Sequence, residues 1–202
     1  MRIVEPVNED EVVALFLKTE IESVRFRDAI LKLLLRDGRD RALVDDPDTS
    51  DVGQNAYRRG LLGEFRGWGR NQAMFEGFPD DIRWFRAVIS KVELAQVRYI
   101  DYSYWVELSG GTRLPEEAAI RIRAGVDVFG VPSSGFLPLA EAVRQGSAFP
   151  DLILVAKNEH SYLVVMEGHA RLTGYFLAPE YIPDELGVLV GFSAAVTNWG
   201  LY

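Results

Sequence analysis

The residues best suited to chemistry lie together in Glu167-Gly168-His169-Ala170-Arg171-Leu172-Thr173. Glycine lets an anion approach the backbone closely, and a helix starting there offers N–H groups without intrahelical partners at the positive end of its dipole. Arg171, three residues after Gly168, falls within the first helical turn and can bring a planar, permanently charged guanidinium to the same anion. His169 adds a donor whose ordinary range spans neutral pH. Thr173 can contribute a hydroxyl. Glu167 is the nearest carboxylate that could act as a base, or it can serve as a helix-start acid complementing the dipole. The bland alternative is a strand-to-helix turn closed by a Glu167–Arg171 salt bridge.

The elements that must position these residues are legible around them. Leu152 to Ala156 is an unbroken apolar run, as expected of a strand buried on both faces. Lys157-Asn158-Glu159-His160 reads as a tight polar turn with Asn158 in the left-handed conformation. Tyr162 to Met166 is the return strand, paired antiparallel with 152–156, and 169–178 is a helix. A second phosphate candidate is Ser109-Gly110-Gly111-Thr112-Arg113. It lacks the lysine and the spacing of a P-loop, and a helix C-cap and turn explains it equally well.

GHARLTG after an apolar strand resembles the G-x-x-R-x-x-A signature of the ParB/sulfiredoxin-like superfamily. The resemblance covers roughly residues 136–191. It includes the short helix LAEAVRQG (139–146), FPD leading into LILV (149–155), and the later strand GVLVG (187–191). It implies an α+β fold, with a ParB/sulfiredoxin-like domain over 91–202 following a helical N-terminal region over 1–90. Relatives include a CTP-dependent DNA clamp, an ATP-using sulfiredoxin and a free-serine kinase. The resemblance implies that Gly168, His169 and Arg171 contact the phosphates of a nucleoside triphosphate carried with Mg2+. It also implies an upstream arginine completing the pocket, a place for which Arg113 competes with Arg121 and Arg123.

Composition narrows the chemistry. The chain has 202 residues, no cysteine and two histidines, His160 and His169. Disulfides, thiolate metal sites, histidine-rich metal centres and the cysteine chemistry of sulfiredoxins are therefore excluded. The family's reactive cysteine corresponds to His169. Net charge is −8, which argues against nucleic acid as a partner. No apolar run approaches the ~18 residues of a membrane span, and the acidic start lacks a signal peptide, so a cytoplasmic protein is expected.

The first ninety residues read as helical. Asn8 and Glu11 form a capping box, and apolar stripes follow through Val12–Leu17 and Phe26–Leu34. The acidic run 45–53 is a loop without calcium-loop spacing. Residues 54–65 return to helix, with Arg58, Arg59 and Arg66 expected in solvent. Asp80–Ile89 reads as a short amphipathic helix, Pro115–Ala124 as a helix started by proline, and Val126–Val131 as a strand. Trp199 and Tyr202 are expected to pack back onto the domain or onto a second copy. The first function class is thus a nucleotide-binding protein that hydrolyses its ligand or transfers a phosphoryl group. The alternative is a non-catalytic protein-interaction or regulatory module, which the lack of a clear general base favours. A ParB-like nuclease or DNA-binding role ranks behind both.

Overall fold

Leu152, Leu154 and Ala156 face one hydrophobic core, while Ile153 and Val155 face another. A strand can be apolar at every position only when both sides of its sheet are covered, and that arrangement organises the chain. The computed structural model covers all 202 residues. Its strands are β1 (Arg2–Pro6), β2 (Arg83–Ser90), β3 (Leu152–Ala156), β4 (Val164–Glu167) and β5 (Glu185–Phe192), in the spatial order β1-β2-β5-β3-β4. β3 runs parallel to β5, and the other neighbours are antiparallel. The fold is α+β.

The helices are α1 (Glu9–Glu20), α2 (Arg27–Arg36), α3 (Ala42–Asp45), α4 (Val52–Arg66), α5 (Lys91–Leu94), α6 (Ser103–Leu108), α7 (Pro115–Arg123), α8 (Leu137–Arg144) and α9 (His169–Leu177). Helices α1 to α4 supply the core on one face of the sheet. Leu94, Leu108 and the buried residues of α7 to α9 supply the core on the other. No helix is long and apolar enough to cross a membrane. The expected hairpin of β3 and β4 forms, and so do the capping box on α1 and the proline start of α7.

Several expectations need correction. Asp80–Ile89 is not a helix: β2 occupies Arg83–Ser90 and pairs along its whole length with β5. Residues 1–90 therefore contribute two strands to the sheet besides their helices. Trp84 faces one core while Ala87 and Ile89 face the other, so burial on both sides blurs the alternation that marks a strand. Val126–Val131 holds only an isolated bridge between Val128 and Val131. Asn158 has no positive φ. Its side chain instead accepts from the His160 N–H at 3.0 Å and the Ser161 hydroxyl at 3.1 Å, an Asx turn. The tail packs onto its own chain, with the Trp199 indole donating to the Met74 carbonyl at 2.8 Å.

Arg58 also departs from expectation, being only 1% exposed. Its guanidinium donates to the carbonyls of Leu43 (3.1 Å) and Asp48 (2.6 Å) and to the Asn55 side chain. The acidic loop is thereby tied to α4, the helix that ends at Arg66. Asp51 caps that helix by accepting from the Gln54 N–H at 3.0 Å. Arg58→Ala leaves those acceptors unpaired and opens a cavity, so we expect it to cost about 2–4 kcal/mol. Urea unfolding that shows less than about 1 kcal/mol would remove this structural role.

Candidate functional site

One large cleft, about 1220 Å3 in volume, receives residues from both layers. The end of α1 and the turn after it supply Lys18, Thr19, Glu20 and Arg25. The end of α4 supplies Arg66, and the β4–α9 junction supplies Glu167, Gly168, His169, Ala170 and Arg171. Phe26, Met74, Ile100, Trp105 and Met166 give the cleft apolar walls.

Gly168 adopts φ +105°, the left-handed region that side chains avoid, and an added Cβ would lie 2.4 Å from Leu152 Cδ2. The chain turns there from β4 into α9. No side chain caps α9, so the N–H groups of its first turn have no partner, and His169, Ala170 and Arg171 of that turn line the cleft. The Gly168 N–H itself donates to Glu167 Oε2. Glu167 Oε1 accepts from Thr19 Oγ1 at 2.7 Å and from Arg171 at 3.0 Å. Arg171 is 8% exposed and donates its other terminal nitrogen to the Pro150 carbonyl at 2.9 Å. The Glu167–Arg171 salt bridge thus exists, and it lies on the wall of the cleft rather than on open surface. Glu167 is engaged in positioning the junction, which weakens its reading as a base.

The structure brings Gly168, His169 and Arg171 together in the cleft. Two other residues read from the sequence lie elsewhere. Thr173 is fully buried, donates to the His169 carbonyl at 2.8 Å and shares a 2.7 Å hydrogen bond with the Tyr99 hydroxyl. Its hydroxyl braces α9 and is spent. Arg113 does not line the cleft. Its Nε donates to the Tyr99 carbonyl at 2.7 Å, and its φ of +61° makes it part of a tight turn after Gly111. Arg66 reaches the cleft instead, from the end of α4.

His169 stacks on Trp105, with ring centroids 5.0 Å apart and planes 17° from parallel. Burial, reinforced by the positive charges of Arg66 and Arg171, pushes its pKa from 6.5 down to about 3. The imidazole is therefore neutral at pH 7, not the near-neutral titrating group that its type suggested.

Sequence reasoning missed Glu20 and Arg66. Glu20 is 4% exposed; one carboxyl oxygen lies 3.5 Å from Arg66 and the other has no hydrogen-bond partner. Burial, only partly offset by Arg66 and assisted by the neighbouring Glu167, raises its pKa to about 8. The signal was present: Glu20 continues the buried stripe Val13, Phe16, Leu17 at helical spacing, where an acid is out of place. No three histidine or acidic side chains gather to hold a metal ion.

No family model, no curated protein and no solved structure matches this chain.

His169 gives the site a signature in pH. Its depressed pKa contributes stability that is present above pH 6.5 and lost as pH falls towards 3. His169→Phe keeps the stacking but has no proton to take up. Between pH 7 and pH 4, wild type should lose more melting temperature than the variant. Equal losses would show that the imidazole is not held neutral.

Proposed function

We propose that the chain binds a phosphate-bearing small molecule, a nucleotide being the best fit, with the phosphates at the start of α9. The observation that carries this reading is the uncapped N-terminus of α9 opening beside Arg171 into the large cleft. Charge supports it. Lys18, Arg25, Arg66 and Arg171 line the cleft against Glu20, Glu22, Glu76 and Glu167, four of each sign. With Glu20 holding its proton, the lining is net positive by one, in a chain whose net charge is −8. Shape supports it too. The volume exceeds the ~300–1,000 Å3 of a drug-sized site, and Trp105, Phe26 and Ile100 offer apolar surface to a base or sugar. The resemblance of 152–178 to ParB/sulfiredoxin-like domains points the same way. Mg2+ arriving with the phosphates would neutralise their charge and favour phosphoryl transfer.

Arg171→Ala is a poor test, because it also strips Glu167 of its partner in a buried position. Ala170→Glu is better. A carboxylate at the second position of α9 suits the helix dipole, so the fold is kept, while its charge opposes an incoming phosphate. Calorimetric titration with ATP, CTP, GTP and UTP, with and without Mg2+, should show binding to wild type at sub-millimolar concentration. Ala170→Glu should weaken it at least tenfold, about 1.4 kcal/mol, at unchanged melting temperature. If wild type binds none of the four at millimolar concentration, the phosphate reading fails and the interaction-module reading takes its place.

A further inference from the structure

Only five buried side-chain polar atoms in the whole protein lack a hydrogen-bond partner, and three of them, Glu20 Oε2, Arg66 Nε and His169 Nε2, belong to residues that line this one cleft. Buried polar groups are nearly always satisfied, so a cluster of exceptions marks a place where a partner comes from outside the chain. Resting on the phosphate reading above, we propose that Glu20 and Arg66 form the second pole of the ligand site. There the Glu20 carboxyl stands as a neutral acid and donates its O–H to a phosphate oxygen of the bound nucleotide.

The geometry favours a donor at this position over a charged carboxylate. At 3.5 Å from Arg66, Glu20 is too far for the 2.7–2.9 Å bond that would hold a buried carboxylate ionised. Its other oxygen is covered and has no donor near it. The charged groups that face it come from every element packed around it: Arg66 from α4, Arg25 from the turn after α1, and Glu167 and Arg171 from the β4–α9 junction. His169, beside Arg66, is neutral. Arg66 is itself held over the Phe26 ring at 4.6 Å and bonds Met74 Sδ at 3.0 Å, so it is fixed on the cleft wall and not free to swing into a tighter pair with Glu20. An incoming phosphate adds negative charge close to Glu20 and further opposes loss of its proton. A neutral carboxyl and a guanidinium side by side are both donors, and a phosphate oxygen is an acceptor for both. A ligand amine or metal ion would meet the opposite preference.

This arrangement couples binding to a proton. The competent form carries hydrogen on Glu20, so the apparent affinity falls with the fraction that retains it. With ionisation of the free protein near pH 8, affinity should weaken about tenfold between pH 7 and pH 9. The probes are the same four nucleoside triphosphates. Their terminal phosphates lose the last proton near pH ~6, so their charge is constant over this range. Glu20→Gln keeps the size and a neutral N–H donor. It should bind within about threefold of wild type at pH 7 and show a flat profile to pH 9. A second readout needs no variant: calorimetry at pH 9 in two buffers of different ionisation enthalpy should show wild type taking up close to one proton on binding. The proposal is overturned if wild-type affinity changes less than twofold from pH 7 to pH 9, if no proton is taken up, or if Glu20→Gln keeps the full pH dependence. Absence of any binding at pH 7 refutes the phosphate reading itself, and this inference with it. Binding with a flat profile refutes this inference alone.

Discussion

The contact on which the rest of the site depends is the Glu167 carboxylate. It accepts from Thr19 on α1, from Arg171 on α9 and from the Gly168 N–H at the turn between β4 and α9. One side chain thereby joins the helical layer built from the N-terminal residues to α9. A pair of this kind is worth little on open surface. Here both side chains are largely covered, at 10% and 16% exposure, and the bonds are charge-assisted. Removing either partner strands the other charge, which is why the junction works as a fixed unit.

That unit also sets the electrostatics around it. Arg171 balances Glu167, which leaves Arg66 and Arg25 as the cations nearest Glu20, while Glu167 repels Glu20 from the other side. The two carboxyl groups therefore divide into different roles by environment alone. Glu167 is held by three donors; Glu20 is buried, with Arg66 no closer than 3.5 Å. His169 is pressed against Trp105 and kept neutral by burial, with Arg66 and Arg171 adding to it. A single cluster thus contains a carboxylate, a carboxylic acid, a neutral imidazole and two guanidinium groups within one cleft. Burial holds both Glu20 and His169 neutral in the proposed ligand site.

What the sequence revealed and what it hid follow from how local each feature is. The β3–β4 hairpin, Gly168, α9 and the capping box of α1 depend on residues close in the chain, and all were legible. β2 was not, because its partner β5 lies about a hundred residues away and both of its faces are buried. Its apolar residues then fit a helical spacing as well as a strand. Arg113 was misplaced for a related reason. Its loop has the composition of a phosphate turn, but its guanidinium is drawn to the carbonyl of Tyr99, a contact made only in three dimensions. Arg58 and Glu20 carried a visible signal, a charge on a buried stripe, whose meaning depends on what stands opposite. For Arg58 it is a set of carbonyls, which takes up both terminal nitrogens and leaves only Nε without a partner. For Glu20 it is an incomplete set.

The contrast between those two residues separates structure from function in this chain. Both are charged types on apolar helical faces, and both are almost fully buried. Arg58 spends its terminal nitrogens on backbone carbonyls and on Asn55, and the result is a loop fastened to a helix. Glu20 has no such return. A carboxyl group buried without partners costs about 1–3 kcal/mol even in its neutral form, and an apolar residue at the same helical position would avoid that cost. Glu20 thus destabilises the free protein while lining the cleft between the two layers. On the proposed reading, the cost falls on folding and the gain comes when a phosphate supplies the missing acceptor.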